Sequence, residues 1–223
     1  MTPTNAGTLS ASTAVTVVSL NSGSVISATS YTGAGKRGDF PNFDAASTGP
    51  RAVVRVRNTG TTDGMNPGTS RLEFGADVTL DATNASSAPG STDNGNNVVQ
   101  RGLFNDVAQF KVQIDAGKPS CRVKGAGGTV EVTSTTVVTA GSRYRIRCIR
   151  SAGLVEIKVT PISSTGVFGL TVTSSKPDTS GTLSFALATS LSVGGKLNPN
   201  GTIAASASDQ FNGTIDNAIL KIG

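Results

Sequence analysis

Cys121 and Cys148 sit in two short stretches, CRVK and RYRIRCIR, where apolar and basic residues alternate. In RYRIRCIR, Tyr144, Ile146 and Cys148 fall on one side of a period-two strand, with Arg143, Arg145 and Arg147 on the other. That is the pattern of a half-buried strand with one core face and one wet, basic face. In CRVK, Cys121 and Val123 share a face opposite Arg122 and Lys124. Both sulfurs then point into one core from two strands, and either a disulfide or two free buried thiols fits. A bridge would enclose 26 intervening residues, which the chain-entropy model values at roughly 3 to 4 kcal/mol. A second row, RAVVRVR, sets Arg51, Val53, Arg55 and Arg57 against Ala52, Val54 and Val56. Guanidinium groups donate charge-assisted hydrogen bonds to carboxylates, sulfates and phosphates. The candidate ligand-binding set is therefore Arg55, Arg57, Arg122, Arg143, Arg145 and Arg147, the alternative being a merely solvated outer face.

Oxygen-rich segments raise a different chemistry. Residues 82–97, ATNASSAPGSTDNGNN, carry almost nothing apolar and form a long surface loop in which Asp93, Asn94 and Asn97 offer hard oxygens of the type calcium takes. The spaced-carboxylate register of a helix–loop–helix site is absent, and a plain Asx-rich turn explains the same letters. The chain contains no histidine, so it has no imidazole base, imidazole metal ligand or triad. Glycoside hydrolysis needs two carboxyls across the scissile bond, but Glu73, Glu131 and Glu156 lie on separate strand-like stretches. No enzymatic activity is expected. GAGKRG lacks the glycine and Lys-Ser/Thr spacing of a phosphate loop and opens no helix, so nucleotide binding is excluded too. Arg37, Gly38 and Asp39 spell a tripeptide that some receptors read, and three letters in a glycine-rich loop carry little weight by themselves.

The elements that must position these residues read as strands. With 27 glycines, 4% aromatics and abundant Thr and Ser, the composition fits one large all-β domain over 13–223, preceded by a loose N-terminal arm over 1–12. TAVTVVSL and SVISA are short strands, and the stretch from Tyr31 to Pro50 is a long loop. SRLEFGADVTLD alternates strictly and should be a central strand. NVVQRGLF, AQFKVQID, GVFGLTVTSS, TLSFALATSLSVGG and FNGTIDNAILKIG complete the set. No segment sustains a period of 3.6, so no long helix is expected. Twelve to fourteen strands at these intervals imply a two-sheet antiparallel β-sandwich of jelly-roll type. No stretch approaches the roughly 18 apolar residues of a membrane span, and neither membrane insertion nor nucleic acid is expected as a partner. The net charge of +5 and pI near 9.5 point instead to an anionic partner. A disulfide would indicate an oxidising, extracellular setting, with Met1 either native or standing where a signal peptide was removed.

The series LEFGADVTLD, NVVQRGLF, QFKVQIDAGKPSCRVKG, RYRIRCIR, LSVGGK and DQFNGTIDNAIL resembles, block by block, the laminin G-like domains of the concanavalin A-like superfamily, in particular single-domain secreted actinobacterial forms. The resemblance spans about residues 50 to 222 and rests most on the CRVKG and YRIRC pair and on FNGTIDNAIL, where the family has F-x-G-x-I-D-N-V-x-I. It implies a fourteen-strand-type sandwich, an extracellular setting, glycan or protein binding and, in some members, calcium. The chain departs from the family where Arg143 and Tyr144 replace a common Trp-His, and it lacks a second cysteine pair around 198–209.

A break in pattern closes the chain. Phe211, Gly213 and Ile215 hold one phase while Ala218, Leu220 and Ile222 hold the other, so the last strand must bulge around Asp216 and Asn217. A carboxylate between two apolar clusters needs a partner. Either Asp216 caps the bulge by accepting backbone N–H bonds, or it holds calcium with Asp39 and Asp44 of the 33–46 loop, an ion that the resemblance allows. Two function classes follow: a non-catalytic extracellular module that binds a polysaccharide or other surface glycan, or a self-assembling structural subunit of a cell-surface coat, virion or appendage.

Overall fold

Thr-, Val- and Ile-rich alternation favours pleated backbone with one buried face. The computed structural model describes residues 4, 6–8, 12–31, 35–41, 49–82, 96–204 and 209–223. They form fourteen strands: β1 (Thr13–Leu20), β2 (Ile26–Thr29), β3 (Lys36–Asp39), β4 (Arg51–Asn58), β5 (Leu72–Leu80), β6 (Asn96–Arg101), β7 (Gln109–Asp115), β8 (Lys118–Gly125), β9 (Gly128–Thr133), β10 (Arg143–Ser151), β11 (Leu154–Ile162), β12 (Val172–Pro177), β13 (Leu191–Val193) and β14 (Gly213–Ile222). Two antiparallel sheets result, in the orders β1-β4-β13-β6-β7-β8-β9 and β12-β11-β10-β5-β14-β3-β2. The expected two-sheet sandwich is the observed one, with β5 in the middle of the second sheet. Among the described residues no helix is long and apolar enough to cross a membrane.

One apolar core lies between the sheets. Phe74 of β5 meets Phe110 of β7 at 4.7 Å between ring centroids, and Phe110 meets Phe185 edge-on at 5.6 Å. Cys121 of β8 and Cys148 of β10 form a disulfide across this core, with Cα atoms 5.6 Å apart and both side chains fully buried. The bridge staples one half of the sandwich, where β8 and β9 pack on β11 and β12. The other half gapes. Between β1, β4 and β13 on one side and β3 and β14 on the other lies a cleft of about 890 Å³, with Thr4, Ala6, Gly7 and Thr8 along it.

Three sequence expectations need correction. The stretch from Tyr31 to Pro50 is not all loop: β3 forms inside it, because Lys36–Asp39 finds β2 on one side and β14 on the other. Four residues with no apolar alternation leave no strand signature. TLSFALATSLSVGG yields only the short β13, Leu183 contributing an isolated bridge to Gly68. The outer face of β4 is not simply solvated. Val53 is fully buried against Leu197 and Ile203, with Val18 and Leu20 packed on them, a second small core that roofs the first sheet. Sequence periodicity assigns such residues to the outside; the covering segment overrides it.

The roof also shelters polar residues on β6 and β7. Lys111 and Lys196 both reach Asp209 Oδ2, at 3.6 and 3.1 Å. Nearby, burial lifts the Asp115 carboxyl to about 6, helped by the charges of Asp209 and Glu131 and opposed by Lys111 and Gln113. The unfolded value is about 4, so the folded state holds the proton longer. This contribution is full below about pH 4 and is lost as the pH rises through about 6. Asp115→Asn is therefore expected to raise Tm by a few degrees at about pH 7.5 and by much less at about pH 4.5. Equal shifts at both pH values would rule this assignment out.

Candidate functional site

The site is built on the outer face of the second sheet. β10 pairs with β5 so that Arg145 lies opposite Asp77 and Arg147 opposite Gly75, while β14 brings Asp216 opposite Asp77 from the other side. Gly75 must be glycine: its φ is +144°, and a Cβ there would lie 2.1 Å from the Ile146 carbonyl oxygen. Beside it the β14 register slips between Asp216 and Ile219, with Asn217 at φ +48°. The sequence-expected bulge is thus present. After it Leu220 and Ile222 sit opposite Phe74 and Leu72, turned to the core.

Asp77 is almost fully buried and is held by three side chains. Arg145 donates through Nε and Nη2 to its two oxygens at 2.7 and 2.8 Å, Arg147 Nη2 donates to Oδ1 at 3.1 Å, and Asn217 Nδ2 donates to Oδ2 at 2.9 Å. Burial pushes the Asp77 carboxyl up, but the hydrogen bonds from Arg145 and Asn217 and the two guanidinium charges outweigh it and hold the group below the usual carboxylate range. The two arginines respond oppositely. Arg145, nearer the surface, is raised chiefly by its hydrogen bond to Asp77, whereas Arg147 loses more to burial than Asp77 returns.

Asp216 is satisfied by donors. Its Oδ2 accepts from Ser30 Oγ at 2.7 Å and from the Tyr31 backbone N–H at 2.9 Å, and its Oδ1 accepts from the Asn217 N–H at 2.9 Å. It therefore caps the bulge and also tethers the turn after β2. That tether sets Tyr31 between two cations: the guanidinium carbons of Arg37 and Arg143 lie 3.8 and 3.4 Å from its ring centroid. Two guanidinium groups so close to one centroid occupy opposite faces of the ring. Next in the row, Arg145 covers the ring of Phe168 at 4.2 Å. Tyr31 and Phe168 remain 38% and 43% exposed, so this row of arginine and aromatic groups meets solvent.

The six candidate arginines do not form one face. Arg143, Arg145 and Arg147 belong to β10 in the second sheet, whereas Arg55 and Arg57 of β4 and Arg122 of β8 belong to the first. Arg147 is only 8% exposed, and with Arg145 it is committed to Asp77, so the expected wet stripe narrows to Arg143 and the upper edge of Arg145. Arg55 donates to Ser190 Oγ at 2.9 Å under the roof, while Arg57 is exposed. Arg122 pairs with Glu131 at 3.0 Å and stacks on Phe104. Sequence reasoning missed Tyr31 and Phe168, which stand in loops without periodicity. It also passed over Arg37, noticed only within the tripeptide, which here forms part of a strand paired on both sides.

Of the oxygen ligands weighed for calcium, Asp39 lies near Asp81, whose carboxyl is raised by burial and by the Asp39 charge. Asp44, Asp93 and Asn94 lie outside the described residues. Asn97 is buried under the roof, where its Nδ2 donates to Gln100 Oε1 at 2.7 Å. Among the described residues no three acidic, cysteine or histidine side chains converge. Glu73, Glu131 and Glu156 are on β5, β9 and β11, each beside a basic partner, Arg71, Arg122 and Lys158 respectively.

No protein-family model matches the sequence, and no curated protein matches it. Solved structures do. The LG1–3 region of the laminin α2 chain matches 76% of this chain at a TM-score of 0.55 and 16% identity. The enzymatically active domain of tailspike protein 2 of bacteriophage CBA120 matches 93% at a TM-score of 0.53 and 13% identity. This chain spans 30% and 28% of those chains. At such identities the likeness concerns architecture alone, and the fold is a laminin G-like sandwich.

Proposed function

We propose that this laminin G-like sandwich is a non-catalytic, extracellular binding module whose outer β10–β14–β3 face engages an acidic polysaccharide. The observation that carries the reading is the Arg37–Tyr31–Arg143 stack. Among the described residues neither of its guanidinium groups has a carboxylate partner, whereas Arg145 and Arg147 both do. Contact with the Tyr31 ring fixes two donors beside one another, which reduces the entropy lost when each meets a carboxylate or sulfate. Arg145 and Arg147 hold the platform, and Arg37 and Arg143 face the ligand. The disulfide supports the extracellular setting, since such bridges persist in oxidising compartments.

The test is retention on heparin-type resin together with a glycan array. Arg37→Gln with Arg143→Gln is expected to lower affinity at least tenfold while Tm stays within a few degrees, and wild-type binding should fall steeply with salt. Asp216→Asn should weaken binding as well, by releasing the Tyr31 turn. Unchanged retention of the double variant would overturn the reading. Calcium, proposed at Asp216 with Asp39 and Asp44 or at Asp93, Asn94 and Asn97, is tested by a chelator arm, which should abolish binding if the ion is needed. A second reading, a structural coat, virion or appendage subunit, is favoured by the edge strand β12, where Val172 is exposed and the neighbouring Leu170 is 89% exposed. A large homo-assembly on size exclusion would favour it.

A further inference from the structure

The cleft in the gaping half of the sandwich is not lined by Tyr31, Arg37 or Arg143, the groups that carry the glycan reading, although Asp216 and Asn217 border it. It opens beside β14, where β3 pairs with Thr214 and Ile215 and, among the described residues, no further strand is paired along that edge. The side chains it receives from the two sheets are mostly aliphatic, with Phe40 and Met65 among them and Thr13, Lys36, Asp216, Asn217 and Lys221 also along it. Val15, Val54 and Val56 come from the first sheet, and Ile215, Leu220 and Ile222 from the second. Val15, Val56, Leu220 and Ile222 are only partly buried, although each faces inward against the core. Protein interiors are packed like organic crystals, and voids larger than a water molecule are few. A gap of about 890 Å³ falls in the range of small-molecule sites, about 300–1,000 Å³. Of the described arm residues, Thr4, Ala6, Gly7 and Thr8 line it, all with small side chains.

The chemistry of the walls and rim selects an occupant. Inward-facing valine, leucine and isoleucine leave a ligand little to hydrogen-bond, so its body must be hydrocarbon. At the rim stands Lys36, exposed, on the same side of β3 as Gly38, whose partner Ile215 lies in the core. We propose that the cleft binds an unbranched acyl chain whose carboxylate head meets the Lys36 ammonium.

The experiment uses the full chain freed of lipid by solvent exchange and titrated with cis-parinaric acid, a fluorescent C18 fatty acid, with palmitate as competitor. Saturable 1:1 binding with Kd between about 1 and 100 µM, reversed by palmitate, is expected. Val56→Trp, which fills the cleft, should weaken binding at least tenfold with Tm kept or raised. Leu220→Trp serves the same end from the opposite wall if the first variant does not fold. Lys36→Glu should weaken the fatty acid about three- to tenfold and leave hexadecanol binding unchanged. Absence of saturable binding, or binding indifferent to both tryptophan variants, would overturn the proposal. So would a dimer on size exclusion that Val56→Trp dissociates, because a second copy would then be the occupant. Arg37→Gln with Arg143→Gln should not alter acyl binding, which keeps this outcome separate from the glycan test.

Discussion

Asp77→Ala is expected to cost about 3 to 5 kcal/mol of folding stability, the size of effect seen when one partner is removed from a buried ion pair. The aspartate is 1% exposed and accepts from Arg145, Arg147 and Asn217. Without it Arg147 remains buried as an uncompensated cation, and the Asn217 side chain loses its acceptor beside the β14 bulge. Asp77→Asn retains the volume and part of the hydrogen bonding and should cost less. The pH dependence has a definite sign. Because the folded carboxyl is held below its ordinary value, its contribution is present above about pH 4 and is lost as the pH falls below it. Urea unfolding at neutral and acid pH checks both points. A variant as stable as the wild type, or one whose deficit does not shrink in acid, would show that the arginines do not depend on Asp77.

Reduction of the Cys121–Cys148 bridge should cost roughly 3 to 4 kcal/mol, the value for closing a loop of this length in the unfolded chain. The non-reduced protein should weigh two daltons less than the reduced form, and Cys148→Ala should lower Tm by about 10 °C or more. Loss of the cross-link should be felt most where β8 and β10 face each other. A variant that melts with the wild type would mean that the packing of Phe74, Phe110 and Phe185 already fixes that half.

Where burial followed the local period, the strands could be read directly. In β5, Leu72, Phe74, Ala76, Val78 and Leu80 all face the core as their alternation requires. Cys121 and Cys148 met because both lie in phase with such residues. The Asp216 bulge was legible from the phase change alone, and its carboxylate accepts there from the Asn217 N–H and, from the turn after β2, from Ser30 Oγ and the Tyr31 N–H. What escaped the sequence was everything set by long-range covering. Val53 looked outward until residues from Lys196 to Ile203 closed over it, and Arg147 looked wet until Asp77 came from a strand 70 residues away. Tyr31 escaped for another reason: its place depends on a hydrogen bond to a carboxylate 185 residues distant, which no spacing records.

The roof over the first sheet leaves the molecule with two unlike sides. Leu197 and Ile203 cover part of one, and the other presents an open row of arginine and aromatic side chains. An open face grips a single sugar unit weakly, since little of the ligand is enclosed. A charged polymer offers the same unit many times. On the proposed polysaccharide reading, several copies of the chain on one polymer would hold it through effective concentration, strong together and quick to release one by one.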